Sequence, residues 1–115
     1  MDKKLTELTE KYAQASIIHQ QALKEGDSEI ANKQYDVQQN IYERLMEIGK
    51  PGQDVLLDLI NHPDAAVRCS AAADSLSYNE KKAKEALKAL QEHDQGFAGF
   101  RAKWALRWWE KKKRT

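Results

Sequence analysis

Cysteine occurs once in the 115 residues, at Cys69, proline twice and glycine five times. A single thiol excludes an intrachain disulfide and suits a reducing compartment. No apolar run approaches the roughly 18 residues that mark a membrane span. The opening Met1-Asp2-Lys3-Lys4-Leu5-Thr6-Glu7 turns to charge at once, without the apolar stretch of a secretory signal. A cytoplasmic location with no membrane association is therefore expected. Charge of one sign is lacking too, with 19 Lys and Arg against 18 Asp and Glu. That argues against a uniformly basic nucleic-acid binder.

What is abundant is Ala, Leu, Lys, Glu and Gln, the strong helix formers. No stretch alternates apolar and polar residues long enough to argue for a sheet. The fold class expected is all-α, in six helical segments separated at Gly26, Gly49 to Gly52, Asn61 to Asp64, Tyr78 to Glu80 and Asp94 to Gly99. Leu5, Leu8, Tyr12, Ala15, His19 and Ala22 recur at three and four residues, which is one face of a long first helix. Gly26 can end it in the left-handed conformation. Asp27 or Ser28 then caps a second helix with Ala31, Tyr35, Gln38, Tyr42, Leu45 and Ile48 as its buried face. Pro51 and Pro63 suit the first turns of a third and a fourth helix. A fifth carries Ala83, Ala86, Leu87 and Leu90, and a sixth carries Phe100, Trp104, Leu106, Trp108 and Trp109 before the Lys111 to Arg114 run. One domain is expected, divided into a helical hairpin over 1–49, a helix pair over 50–79 and a second pair over 80–115.

The last two pairs repeat. Leu56, Leu59 and His62 return as Leu87, Leu90 and His93. Val67, Arg68, Ala72 and Leu76 return as Phe100, Arg101, Ala105 and Trp109, after a two-residue insertion near Gln95 to Gly99. The segment from Leu56 through His62-Pro63-Asp64-Ala65-Ala66-Val67-Arg68 to Ala73 resembles a HEAT repeat: a leucine-rich helix, a Pro-Asp turn and a Val-Arg-x-x-Ala-Ala helix. Residues 80 to 110 resemble a degenerate second unit. The whole chain is also similar to a short bacterial HEAT-like family of unassigned function. The resemblance implies an α-α superhelix, a HEAT-like solenoid that binds a partner through a concave face. Many HEAT units carry an Asp six residues before the Arg; His62 and Gln95 stand there in this chain, so an Asp–Arg ladder between repeats is not expected.

No residue pattern declares a reaction. There is no His-x-x-x-His and no second Cys, so neither a metal nor a cofactor is expected. Pro51 sits where a phosphate loop needs a backbone amide. His19 lies in an apolar stripe and is expected as a hydrogen-bonded core histidine, and His62 and His93 as turn or capping residues. Cys69 aligns with Ala102, which predicts a small, packed side chain rather than a reactive thiol. Were a small molecule processed, it would sit near Tyr35, Asp36 and His19. Arg68 and Arg101, in register in the two units, are expected either to bond backbone carbonyls of a neighbouring turn or to face a ligand's carboxylate or phosphate. Trp104 and Trp108 share one helix face and Trp109 another, so at least one indole is expected at the surface.

Charge is unevenly placed. Residues 27–79 hold four cationic and nine acidic side chains, a net of minus five, whereas residues 80–115 hold eleven and five, a net of plus six. Such a dipole can steer an acidic partner to the last repeat, or hold two copies acidic half against basic half. The leading expectation is a non-enzymatic module that binds a protein partner, as a monomer or weak homodimer. Its candidate contacts are Tyr35, Tyr42, Arg68, Arg101, Trp104, Arg107 and Trp108. A specialised form is an immunity or inhibitor protein against a bacterial toxin. The alternative is nucleic-acid binding through the basic last repeat, with Lys81, Lys82, Lys84, Lys88 and the Lys111 to Arg114 run on phosphates and the tryptophans stacking on bases.

Overall fold

Three helices begin where a short polar side chain takes up an otherwise unpaired backbone N–H. The computed structural model describes residues 3–114. Met1 and Asp2, the first residues of the charged opening, and Thr115 lie outside the described residues, as does the side chain of Arg114 at the end of the basic run. Six α-helices account for nearly all of the rest: α1 (Lys3–Glu25), α2 (Ser28–Ile48), α3 (Lys50–Leu59), α4 (Ala65–Ser75), α5 (Glu80–His93) and α6 (Phe97–Arg114). The arrangement is all-α, with no strand among the described residues.

Asp27 accepts from the Ile30 N–H at 3.1 Å to start α2, Asp64 from Ala66 at 2.8 Å to start α4, and Asn79 from Lys82 at 3.3 Å to start α5. Gly26 and Gly49, with φ of 74° and 92°, turn the chain at the ends of α1 and α2. Pro51 lies in the first turn of α3, as expected. Pro63 does not play that part for α4: Asp64 is the cap, so the proline stands outside the helix.

The core is built from Tyr12, Leu45, Leu56, Val67 and Leu87, all with under 2% of their surface exposed. Leu8, Tyr12, Ala15 and Ala22 bury the predicted face of α1. In α2 the buried face is turned toward Ile41, together with Ala31, Gln38 and Leu45. That rotation leaves Tyr35 and Ile48 exposed and Tyr42 half-buried against the core, where the periodicity had placed all three inside.

Consecutive helices pack against one another, and α4 touches α1, α3, α5 and α6. α1 also touches α6, so the first and last helices meet. The molecule measures 35 × 31 × 29 Å.

Candidate interaction surface

On α6, residues four apart lie on one face. Phe100, Trp104 and Trp108 occupy that face of α6 with 56%, 51% and 58% of their surfaces exposed. Their rings form a line: Phe97 and Phe100 are 5.9 Å apart between centroids, and Phe100 and Trp104 are 6.0 Å apart, edge to face. The Arg107 guanidinium lies 5.3 Å from the Trp104 ring, and the Lys112 ammonium 4.9 Å from that of Trp108. Lys103 and Lys111 are exposed beside the rings. At 100° per residue every charged side chain within a quarter turn of Trp104 is cationic. Trp104, Arg107 and Trp108 are thus brought together. Phe100, absent from the expected contacts, completes the stripe. Its spacing from Trp104 and Trp108 was the available signal; its alignment with Val67 pointed the other way. Val67 is fully buried, whereas Phe100 is more than half exposed.

Trp109 faces away from the stripe. Its indole N–H donates to Glu80 Oε2 at 2.7 Å, and Lys113 Nζ reaches the same oxygen at 2.7 Å. These two donors, Lys113 first, hold the Glu80 carboxyl down to about 2. Lys84 bridges Glu80 and Glu110. Two of the cations expected to meet phosphates, Lys84 and Lys113, are therefore engaged by carboxylates, and this cluster pins the end of α6 to the start of α5.

The two repeat arginines part company. Arg68 Nη1 donates to the carbonyl oxygens of His62 at 2.9 Å and Pro63 at 2.8 Å, closing the turn before its own helix. His62 Nδ1 accepts from the Asp64 N–H, a capping role as expected. Arg101 turns inward, donating to Gln20 Oε1 at 2.9 Å and to Ser70 Oγ at 3.4 Å. No ridge of paired arginines forms among the described residues, because Arg68 closes its own turn while Arg101 reaches Gln20 and Ser70.

Arg101 ends a buried polar seam across four helices. Gln38 Nε2 donates to Ser16 Oγ at 2.6 Å and to Ser70 Oγ at 3.2 Å, and Ser16 donates to the Tyr12 carbonyl. Tyr12 Oη donates to Asp74 Oδ2 at 2.6 Å. Burial pushes Asp74 up to about 6, opposed by the Tyr12 hydroxyl and the Arg101 charge. His19 sits nearby with its ring centroid 6.1 Å from that of Tyr35. The expected hydrogen-bonded histidine is not realised at Nδ1, which is buried without a partner among the described residues. Burial, then Arg101, depresses its pKa. Tyr35 and Tyr42, both on α2, join neither the stripe nor each other. Cys69 is buried, and burial raises its thiol pKa, the direction opposite to nucleophilic activation. No group of three or more His, Cys, Asp or Glu side chains among the described residues could hold a metal ion. Among the described residues no helix is long and apolar enough to cross a membrane.

Residues 6–108 match the model of a domain of unknown function, DUF2019. Among solved structures, the chain is similar to the crystal structure of the protein RPA1889 from Rhodopseudomonas palustris CGA009, with a TM-score of 0.82 and 22% identity. The match covers 93% of this chain and 88% of that one, a likeness of fold. No curated protein matches the chain.

Proposed function

The chain belongs to the DUF2019 family, and from the surface it presents we propose that it is a non-enzymatic helical-repeat module that binds a protein partner through α6. One observation carries this reading: Phe100, Trp104 and Trp108 stand exposed in line on a helix face whose flanking charges are all positive. Aromatic side chains ringed by Arg and Lys supply the anchors and the orienting field of a protein interface. They fit a partner with an apolar ridge flanked by carboxylates. In this reading α3–α4 and α5–α6 are HEAT-like repeats, and α6 presents the binding face. An immunity or inhibitor role against a toxin is a specialised form of it. The buried thiol of Cys69 accords with a cytoplasmic setting.

The test is capture by the full chain from native lysate with and without nuclease, followed by calorimetry with the purified partner. Trp104→Ala and Trp108→Ala should each weaken binding by about 30-fold, the effect of losing an anchor worth about 2 kcal/mol, with far-UV circular dichroism unchanged. Bound material that disappears on nuclease treatment would replace the protein partner with a nucleic acid. A protein whose affinity both variants leave unchanged would end the assignment of α6.

A further inference from the structure

A second unpartnered patch lies at the tip of the α1–α2 hairpin. Ile17, Ile18, Leu23 and Ile30 are exposed there. A groove of about 290 Å³ runs between Ile17, Ile18, Ala22 and Ile30, bounded by Glu25 and Asp27. Glu29 is exposed on the adjoining turn, and Lys24 is the one cation between Ile17 and Ile30. Contiguous exposed aliphatic side chains beside a groove are the kind of surface that an interaction covers.

Tip and stripe are complementary. One is an aliphatic groove with an acidic rim; the other is a line of aromatic rings with a basic rim. Both stay exposed in the single chain, where the Arg101–Gln20 bond already fixes α6 to α1, so they can meet only between chains. From these features we propose that two copies pair reciprocally, the α6 stripe of each seated on the hairpin tip of the other. A twofold axis makes the two contacts identical and leaves neither patch free, so assembly closes at a dimer. The occupant of the groove is a second copy because an exposed apolar stripe with the opposite charge at its rim is carried on the same chain. The pairing stands independently of any foreign partner. It would share α6 with one, so that dimer and partner complex exclude each other.

Charge exchange tests the pairing directly by sedimentation velocity on the full chain at low salt. Wild type should show concentration-dependent dimerisation that weakens as salt rises. The double variants Glu25→Lys/Glu29→Lys and Lys103→Glu/Arg107→Glu set like charges against each other in both contacts, and each should associate at least about tenfold more weakly. Asp27 is left intact because it caps α2. In an equimolar mixture of the two variants, both contacts again join opposite charges, and dimerisation should return. A wild type that remains monomeric at every concentration overturns the proposal, as does a dimer unaffected by either variant or a mixture that stays monomeric. Circular dichroism verifies that each variant is folded. A monomer that still captures a partner through Trp104 and Trp108 would end the pairing and leave the partner reading standing; a dimer without a partner would do the reverse.

Discussion

A carboxyl group inside a helix packing is tolerated when its neighbours donate to it or when it keeps its proton. Asp74 does some of both. Tyr12 donates to it and the Arg101 charge favours its ionised form, yet burial outweighs them and raises it from 3.8 to about 6. The folded state therefore holds the proton more tightly than the unfolded chain. Stability from Asp74 is complete below about pH 4 and is lost as pH rises through about 6, a loss of about 2–3 kcal/mol. Asp74→Asn keeps an acceptor for the Tyr12 hydroxyl and cannot ionise. Its stability relative to wild type should rise by about that amount between pH 4 and pH 7.5, read from urea midpoints at both pH values. The comparison cancels contributions from other groups, including His19, whose depressed pKa acts in the opposite direction. A difference independent of pH would show that Asp74 is not held protonated by the fold. Nothing in the order of residues foretold this pairing, because Tyr12 and Asp74 are 62 positions apart and only the α1–α4 contact joins them.

At the scale of helices, the junction of α2 and α3 turns on Gly52. A Cβ built there would overlap the backbone carbonyl of Leu45, which cannot move aside as a flexible side chain would. Gly52→Ala sets a gain in helix propensity of about 1 kcal/mol against forced separation of two packed helices, which typically costs about 1–3 kcal/mol. The clash involves backbone, so the cost should prevail. A net loss of at least about 1 kcal/mol in denaturant midpoint is expected; a variant as stable as wild type would mean that α3 sits further from α2. Gly52 was legible as part of a breaker cluster but not as a close approach, since spacing along the chain does not say which backbones touch. The helices themselves were readable because their signals are local: Asp27 caps the helix that it precedes, and leucines at three and four residues mark the faces. The α6 stripe was half readable. Trp104 and Trp108 followed from i, i+4 spacing, whereas Phe100 was hidden by its alignment with a valine that a following helix pair covers. Arg101 was misplaced for a similar reason, being drawn inward by Gln20 and Ser70 from elements remote in sequence.

Taken whole, the molecule differs from a strip of repeats in which each unit touches only its neighbours. Such a strip can open from one end, because its stability is a sum over units and their shared faces. Here α1 touches α4 and α6, and the Arg101–Gln20 and Tyr12–Asp74 bonds tie the first helix to the last two units. Opening α6 alone would break contacts to both ends of the chain, so unfolding should be a single cooperative transition. The chain carries its own probes for this. All three tryptophans lie in α6, and Trp109, half-buried and bonded to Glu80, should dominate the emission change. Far-UV circular dichroism reports all six helices. In urea the two signals should change together. Arg101→Met, which deletes the donors to Gln20 and Ser70 but retains an unbranched apolar stem, should separate them, with tryptophan emission changing at lower urea than helicity. Curves that are already separate in wild type would mean that α6 opens independently of the hairpin, leaving the α1–α6 contact without energetic weight. Curves that stay coincident in the variant would place the coupling in the packing of α4 between its neighbours rather than in Arg101.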